Sequence, residues 1–238
     1  MKLNVALFFA GLFGALAAVF ILLSFGTDYW LMASESCKSN GSVGPIGVAR
    51  GDVVMQKDSS DVTFYHEGFF WRCSFGADME DNDLMWKLWF TNQPSSKVCM
   101  HAYLFPFPCP SRATMPHIYR GFWSVFMLIG VAAVIVGGFV IICAAPFASH
   151  CLYKTGGTLL LAAGFFLLCV VVMFVLWLEV LDVVTVYIDY QRATLCPNFA
   201  LSIDYGLSFM FAPIGIFFCF LSGLLFLLIG RTIRIHYH

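Results

Sequence analysis

Four stretches of this chain contain no Asp, Glu, Lys or Arg: Leu3 to Thr27, Gly121 to Ser149, Thr155 to Leu178, and Tyr205 to Gly230. Each exceeds the roughly 20 residues with which an apolar helix crosses about 30 Å of hydrocarbon. In lipid a spanning segment must satisfy its own backbone N–H and C=O groups, so these runs predict transmembrane helices. Composition agrees. Of 238 residues, 60% are hydrophobic and 11% charged, whereas soluble domains carry about 25% charged residues. The first run follows Met1-Lys2 and contains Ala15-Leu16-Ala17, as a cleaved signal peptide would. It outlasts the apolar region of a signal, about 7–15 residues, and the triplet sits in mid-run, which favours a retained helix.

Charge orients the spans. With the N-terminus inside, the cytoplasmic side carries Lys2, Lys154, Arg231 and Arg234 and no acid, while all 14 Asp and Glu fall outside. That segregation exceeds what the positive-inside bias requires. The expected layout is residues 1–27 for the cytoplasmic N-terminus and first span, 28–120 for a large outer loop and 121–145 for the second span. A cytoplasmic link over 146–155, a third span over 156–178, a second outer loop over 179–204, a fourth span over 205–230 and a cytoplasmic tail over 231–238 complete it. Plasma membrane is the expected location.

Of the outer segments only 28–120 is long enough to fold by this reading. Asp61 to His66 and Phe69 to Phe75 are rich in β-branched and aromatic residues and are separated by Gly68, so two strands are expected. Asn40-Gly41-Ser42 and Gly44-Pro45 are turn material, and Pro106 to Pro116 is expected to return the chain to the membrane without regular structure. Within the spans Ala6, Ala10, Gly14 and Ala18 recur every four residues, as do Gly215, Cys219 and Gly223. Small residues on one face let membrane helices approach closely, which makes the first and fourth spans candidate neighbours.

The nine cysteines divide by topology. Cys143, Cys151, Cys169 and Cys219 lie in or below the membrane, and Cys37, Cys73, Cys99, Cys109 and Cys196 lie outside, where disulfides are the default. An odd outer count leaves one thiol free or shared with another chain. Cys37 follows the first span and Cys196 precedes the fourth, so pairing of those spans would bring the two sulfurs within reach; Cys109 is then the odd one.

Chemistry in the membrane needs ionisable groups there, and the spans hold no Asp, Glu, Lys or Arg, against a proton relay or intramembrane protease. His66, His101 and His117 lack the spacing of metal ligands, and the acidic run Asp78, Glu80, Asp81 and Asp83 lacks the Gly and distal Glu of a calcium loop. A solvated turn explains the acids. Arg50-Gly51-Asp52, on the outer loop, matches the short ligand read by many integrins, in which a metal ion takes the Asp and an acidic groove the Arg. Most such tripeptides are inert surface turns.

Trp30 beyond the first span, Gly68-Phe69-Phe70 followed by Cys73, a later Cys99, and Arg120 before the second span together resemble the pattern of the claudin and peripheral-myelin-protein superfamily. That resemblance implies an all-α membrane four-helix bundle, claudin-like, under a small extracellular β-sheet braced by a Cys73–Cys99 disulfide. There are departures: Phe70 stands at the family's Trp position, and Cys73 and Cys99 enclose 25 residues, far more than in claudins. These put claudin-type strand polymerisation in doubt. His66 to Cys73, Thr91 to Pro94, Tyr119 to Trp123 and Ile142 to His150 resemble one branch of the superfamily found in muscle. That likeness implies a non-enzymatic regulator that associates with the integrin beta-1 chain, reduces integrin–laminin adhesion signalling and restrains myogenic differentiation and fusion. The alternatives are a junctional protein that polymerises between cells and an auxiliary ion-channel subunit. No cofactor, metal or nucleic acid is implied. The expected partners are the lipid bilayer, a lateral membrane protein and, where the chain self-associates, a second copy.

Asn40 is a glycosylation sequon on the predicted outer side. Asn40→Gln is expected to abolish an endoglycosidase-sensitive mass shift. A glycan acquired by a sequon engineered into 146–155 would overturn the topology.

Overall fold

The computed structural model describes residues 2–37, 61–76, 98–101, 115–147, 149–180, 183–194 and 197–236. The elements run α1 (Lys2–Gly26), β1 (Leu31–Cys37), β2 (Asp61–Glu67), β3 (Trp71–Gly76), β4 (Val98–His101), α2 (Met115–Phe147), α3 (His150–Glu179), α4 (Val183–Thr194), β5 (Phe199–Tyr205) and α5 (Leu207–His236). Helices α1, α2, α3 and α5 each hold a segment long and apolar enough to cross a membrane, which makes this a multi-pass membrane protein.

Lipid tails are as apolar as leucine, so helices in a bilayer associate through close packing and hydrogen bonds rather than escape from water. Glycine supplies the closeness here. A Cβ on Gly157 of α3 would lie 2.8 Å from the Gly223 carbonyl oxygen of α5, and one on Gly223 would lie 2.9 Å from the Gly157 carbonyl oxygen. Between α1 and α5, a Cβ on Gly215 would meet Ile21 at 2.7 Å, and one on Gly14 would meet Ser222 Oγ at 3.0 Å. Ser222 donates its hydroxyl to the Ala10 carbonyl at 2.9 Å, tying the same two helices. Gly130 against Leu167 and Gly156 against Ile141 close α2 on α3. Contact between α1 and α2 is sparse by comparison.

The small residues of the fourth span thus serve two neighbours rather than one. On a helix of 3.6 residues per turn a four-residue repeat drifts by about 40° per step, so the eight residues from Gly215 to Gly223 swing the stripe from α1 to α3. Cys219 between them is fully buried. Ala6 packs on a cluster at the bundle end away from the sheet, formed around Ala10, Tyr153 and Phe226, while Ala18 packs on a larger one around Trp30 and Leu167.

Several expectations are corrected. Met115 begins α2, so the end of the Pro106–Pro116 return is helical; Pro116 sits in the first turn, where its missing N–H has no helical partner to lose. Helix α2 reaches Phe147 and α3 starts at His150, so most of the predicted 146–155 link is helical. Loss of apolar character marks where the membrane ends, and a helix is free to continue past it. The second outer loop also folds, into α4 and β5. The sheet therefore has five antiparallel strands, ordered β4-β3-β2-β1-β5, in place of two. Strand β1 lies inside it, with Ala33 facing Tyr65 of β2 on one side and Ile203 of β5 on the other.

Leucine at Gly157 or Gly223 should force the α3–α5 backbones apart and lower thermal stability in detergent by about 1–3 kcal/mol, as overpacking does. Alanine at Gly11 or Gly138, where an added Cβ meets nothing within 4 Å, should leave it unchanged or slightly raised. Equal melting shifts in the two sets would contradict the packing described.

Candidate functional site at the sheet–bundle junction

The residues from Thr27 to Trp30 leave α1 and enter β1, and the chain there is gripped from both sides. Trp30 N–H donates to the Glu67 carbonyl of β2 at 3.0 Å, and Gly206 N–H donates to the Trp30 carbonyl at 3.0 Å. Ser208 N–H at the start of α5 donates to the Tyr29 carbonyl at 3.1 Å. Gly206 has to be glycine, because a Cβ would collide with the Tyr29 carbonyl oxygen. Gly68 is equally confined, with Asp28 Cα 2.5 Å from where its Cβ would stand.

Trp30 fills the space between sheet and helices. It is 1% exposed, and its ring meets Phe69 edge-on at 4.7 Å, Phe174 of α3 at 5.2 Å and Phe209 of α5 at 5.6 Å. Such edge-to-face contacts contribute about 0.5–1.5 kcal/mol each beyond the area they bury. The indole N–H, too costly to bury unpaired, donates to the Ser24 carbonyl at 2.7 Å. Ser24 Oγ in turn donates to the Ser208 carbonyl at 2.7 Å, crossing from α1 to α5. Beside this column His66 is buried, with Nδ1 2.9 Å from the Asp28 carbonyl and its ring stacked on Tyr29 at 4.4 Å.

A second constellation joins the two loops on the sheet side. Glu35 of β1 accepts a hydrogen bond from Tyr65 of β2 on one carboxylate oxygen and from Tyr187 of α4 on the other, both at 2.7 Å. Burial, and then the Glu35 carboxylate, push the Tyr187 phenol up to about 12 and the Tyr65 phenol upward as well. Both therefore remain neutral donors through the physiological range. Arg72 of β3 lies 4.6 Å above the Tyr65 ring and 3.9 Å from Glu67. On the far side Arg192 Nε donates to the Phe199 carbonyl at 3.1 Å, fastening α4 to β5.

Of the residues singled out in the sequence, Trp30, Gly68 and Phe69 meet at this junction, while Phe70 is exposed. Cys73 and Cys99 face each other across β3 and β4 and are bonded, with Cα atoms 4.1 Å apart. Closing a loop of that length stabilises a small sheet by about 3 kcal/mol in the chain-entropy model. Arg120 lies in the early turns of α2. Asn40, Arg50-Gly51-Asp52, Cys109 and Cys196 lie outside the described residues. Sequence reasoning missed Glu35, Tyr65, Tyr187 and β5. The signal for β5 was present in the alternation Phe199, Leu201, Ile203, Tyr205, which turns every second residue to one face. Among the described residues no group of three or more His, Cys, Asp or Glu is placed to hold a metal. The arrangement fastens the sheet to the helices through Trp30 and Ser24, and α4 to the sheet through Glu35.

Cys37 is also disulfide-bonded. It faces Phe199 across β1 and β5, three residues beyond Cys196 in the chain. A peptide map without reduction should therefore link Cys37 to Cys196; a Cys37–Cys109 peptide would refute that pairing.

Comparison with known proteins follows the same architecture. Residues 15–228 match the family model described as PMP-22/EMP/MP20/Claudin tight junction. Over its full length the chain is 58% identical to transmembrane protein 182 of Danio rerio and 46% identical to that of Homo sapiens, each covered over 100% of its own length. The Gallus gallus protein of the same name is 47% identical, with 99% of each chain covered. The chain thus belongs to the PMP-22/EMP/MP20/claudin family of membrane proteins.

Proposed function

We propose that this protein is a non-enzymatic regulator of the plasma membrane, with both termini in the cytoplasm, which associates laterally with the integrin beta-1 chain. In this reading it reduces integrin–laminin adhesion signalling and restrains myogenic differentiation and fusion. Integrin and muscle come from the resemblance to a muscle branch of the family. The observation that supports a lateral mode is the fourth seam of the bundle. Three seams are closed by glycine contacts, but between α1 and α2 an apolar groove of about 250 Å³ opens toward the lipid. Ala18, Ile21 and Leu22 form one wall, and Val131, Ile135 and Gly138 the other. Gly137 and Gly138 face different ways: a Cβ on Gly137 would press on Leu159 of α3 at 3.2 Å, while one on Gly138 would meet only open space. Small residues with nothing over them are what a further helix needs for close approach. In this reading a membrane helix of the integrin beta chain occupies the groove.

Lateral association also explains why two proteins of one membrane would meet without Arg50-Gly51-Asp52. Leucine at Gly138 extends from a Cβ that meets nothing within 4 Å into the groove, unlike leucine at Gly14, whose Cβ would lie 3.0 Å from Ser222 Oγ. After surface delivery is confirmed, Gly138→Leu should reduce co-precipitation of integrin beta-1 by roughly tenfold, the equivalent of about 1.4 kcal/mol. Asp52→Glu should leave it near wild type. Loss with Asp52→Glu and retention with Gly138→Leu would replace the lateral mode by a ligand mode, and freeze-fracture strands in transfected cells would favour the junctional alternative.

A further inference from the structure

At the bundle end away from the sheet, α3 begins and α5 finishes side by side. A Cβ on Gly230 of α5 would lie 3.1 Å from the His150 carbonyl oxygen and 3.3 Å from the Lys154 backbone nitrogen, so α5 runs against the first turns of α3. Tyr153 stacks on Phe226 almost in parallel, with ring centroids 6.1 Å apart, and holds the two helices in that register. Arg231 directly follows Gly230, and Arg234 is one turn further along the Gly230 face. Lys154, Arg231 and Arg234 are all exposed, and the closeness of Gly230 to the Lys154 backbone sets the three on adjoining turns of two packed helices.

No acid opposes them. Residues 1–27, 121–178 and 205–238 contain no Asp or Glu, so neither α1, α2, α3 nor α5 offers a carboxylate at this end. The Ser149 side chain does not cap the first turn of α3, which begins beside these cations. Placement at the ends of the apolar runs puts the cluster at the depth of lipid headgroups. A topological bias needs only cations near span ends. Their gathering on a single glycine-closed seam is a further feature, and it is complementary to a phosphate.

We propose that the α3–α5 seam at this end binds the headgroup of an anionic phospholipid. The two guanidinium groups engage phosphate oxygens with paired donors, and Lys154 supplies a third positive charge. This end is cytoplasmic in the topology proposed above, and the cytoplasmic leaflet carries the anionic lipids. The inference does not depend on integrin binding, and its test contains no integrin.

The full-length protein would be purified from nanodiscs of phosphatidylcholine doped with phosphatidylserine, and retained lipid counted by native mass spectrometry. Wild type is expected to keep phosphatidylserine preferentially. Lys154→Gln/Arg231→Gln/Arg234→Gln should reduce its retention at least about tenfold, and Arg234→Gln alone should reduce it partly. The charge-preserving set Lys154→Arg/Arg231→Lys/Arg234→Lys should retain more phosphatidylserine than the triple glutamine variant and less than wild type, because lysine keeps the charge and loses the paired donors; matched melting curves would exclude a folding defect. Equal retention in wild type and the triple glutamine variant would overturn the proposal. Displacement of the lipid by millimolar inorganic phosphate would also overturn it, in favour of a site for a soluble anion.

Discussion

Backbone contact between Gly157 and Gly223 is the constraint on which the bundle depends. With no hydrophobic force between helices in lipid, order has to come from surfaces that fit, and the closest fit is between two chains bare of side chains. Helix α5 is at the centre of that arrangement, because it presents Gly215 to α1 and Gly223 and Gly230 to α3. Helix α2 is held chiefly by α3. The groove between α1 and α2 follows: each wall is anchored to another helix, and neither places a glycine backbone against the other.

The sheet is held to the bundle by a different logic. Water is available on that side, so apolar burial operates again, and Trp30 concentrates it at one point between β2, α3 and α5. Glycine recurs, now where strand and helix change direction. Gly68 and Gly206 let the Asp28–Trp30 strap pass between Glu67 and Ser208 with its hydrogen bonds intact. The family pattern of Trp, Gly and Cys thus describes a joint: the Trp is its core, the Gly its clearance, and the Cys73–Cys99 bond a brace on the strands beyond.

Legibility in the sequence followed the range of the forces involved. The spans were readable because solvation by lipid is a property of each segment alone. Strand β1, Leu-Met-Ala-Ser-Glu-Ser-Cys, has little intrinsic preference for extended structure and owes its conformation to pairing with β2 and β5. In the opposite sense Val183-Val184-Thr185-Val186 is β-branched, which favours strands, yet it opens the helix α4. Tertiary contact decides that case, since only a helix aligns buried Tyr187 with buried Gln191 one turn on while aiming the phenol at Glu35. The Glu35 clasp joins residues 30 and 152 positions apart in the chain, and nothing local announces it. Packing residues were half legible: small residues could be picked out by spacing, but the helix each one faces depends on the drift of the stripe.

Strand β5 passes into α5 through Gly206 alone, and β5 is bonded along its length to β1. Sheet and α5 are therefore joined without an intervening loop, and α5 in turn abuts α1 at Gly215 and α3 at Gly223. One unbroken path of close contacts thus runs from the sheet, through the glycines of α5, to Gly230 and the basic ends of α3 and α5 at the far end of the bundle.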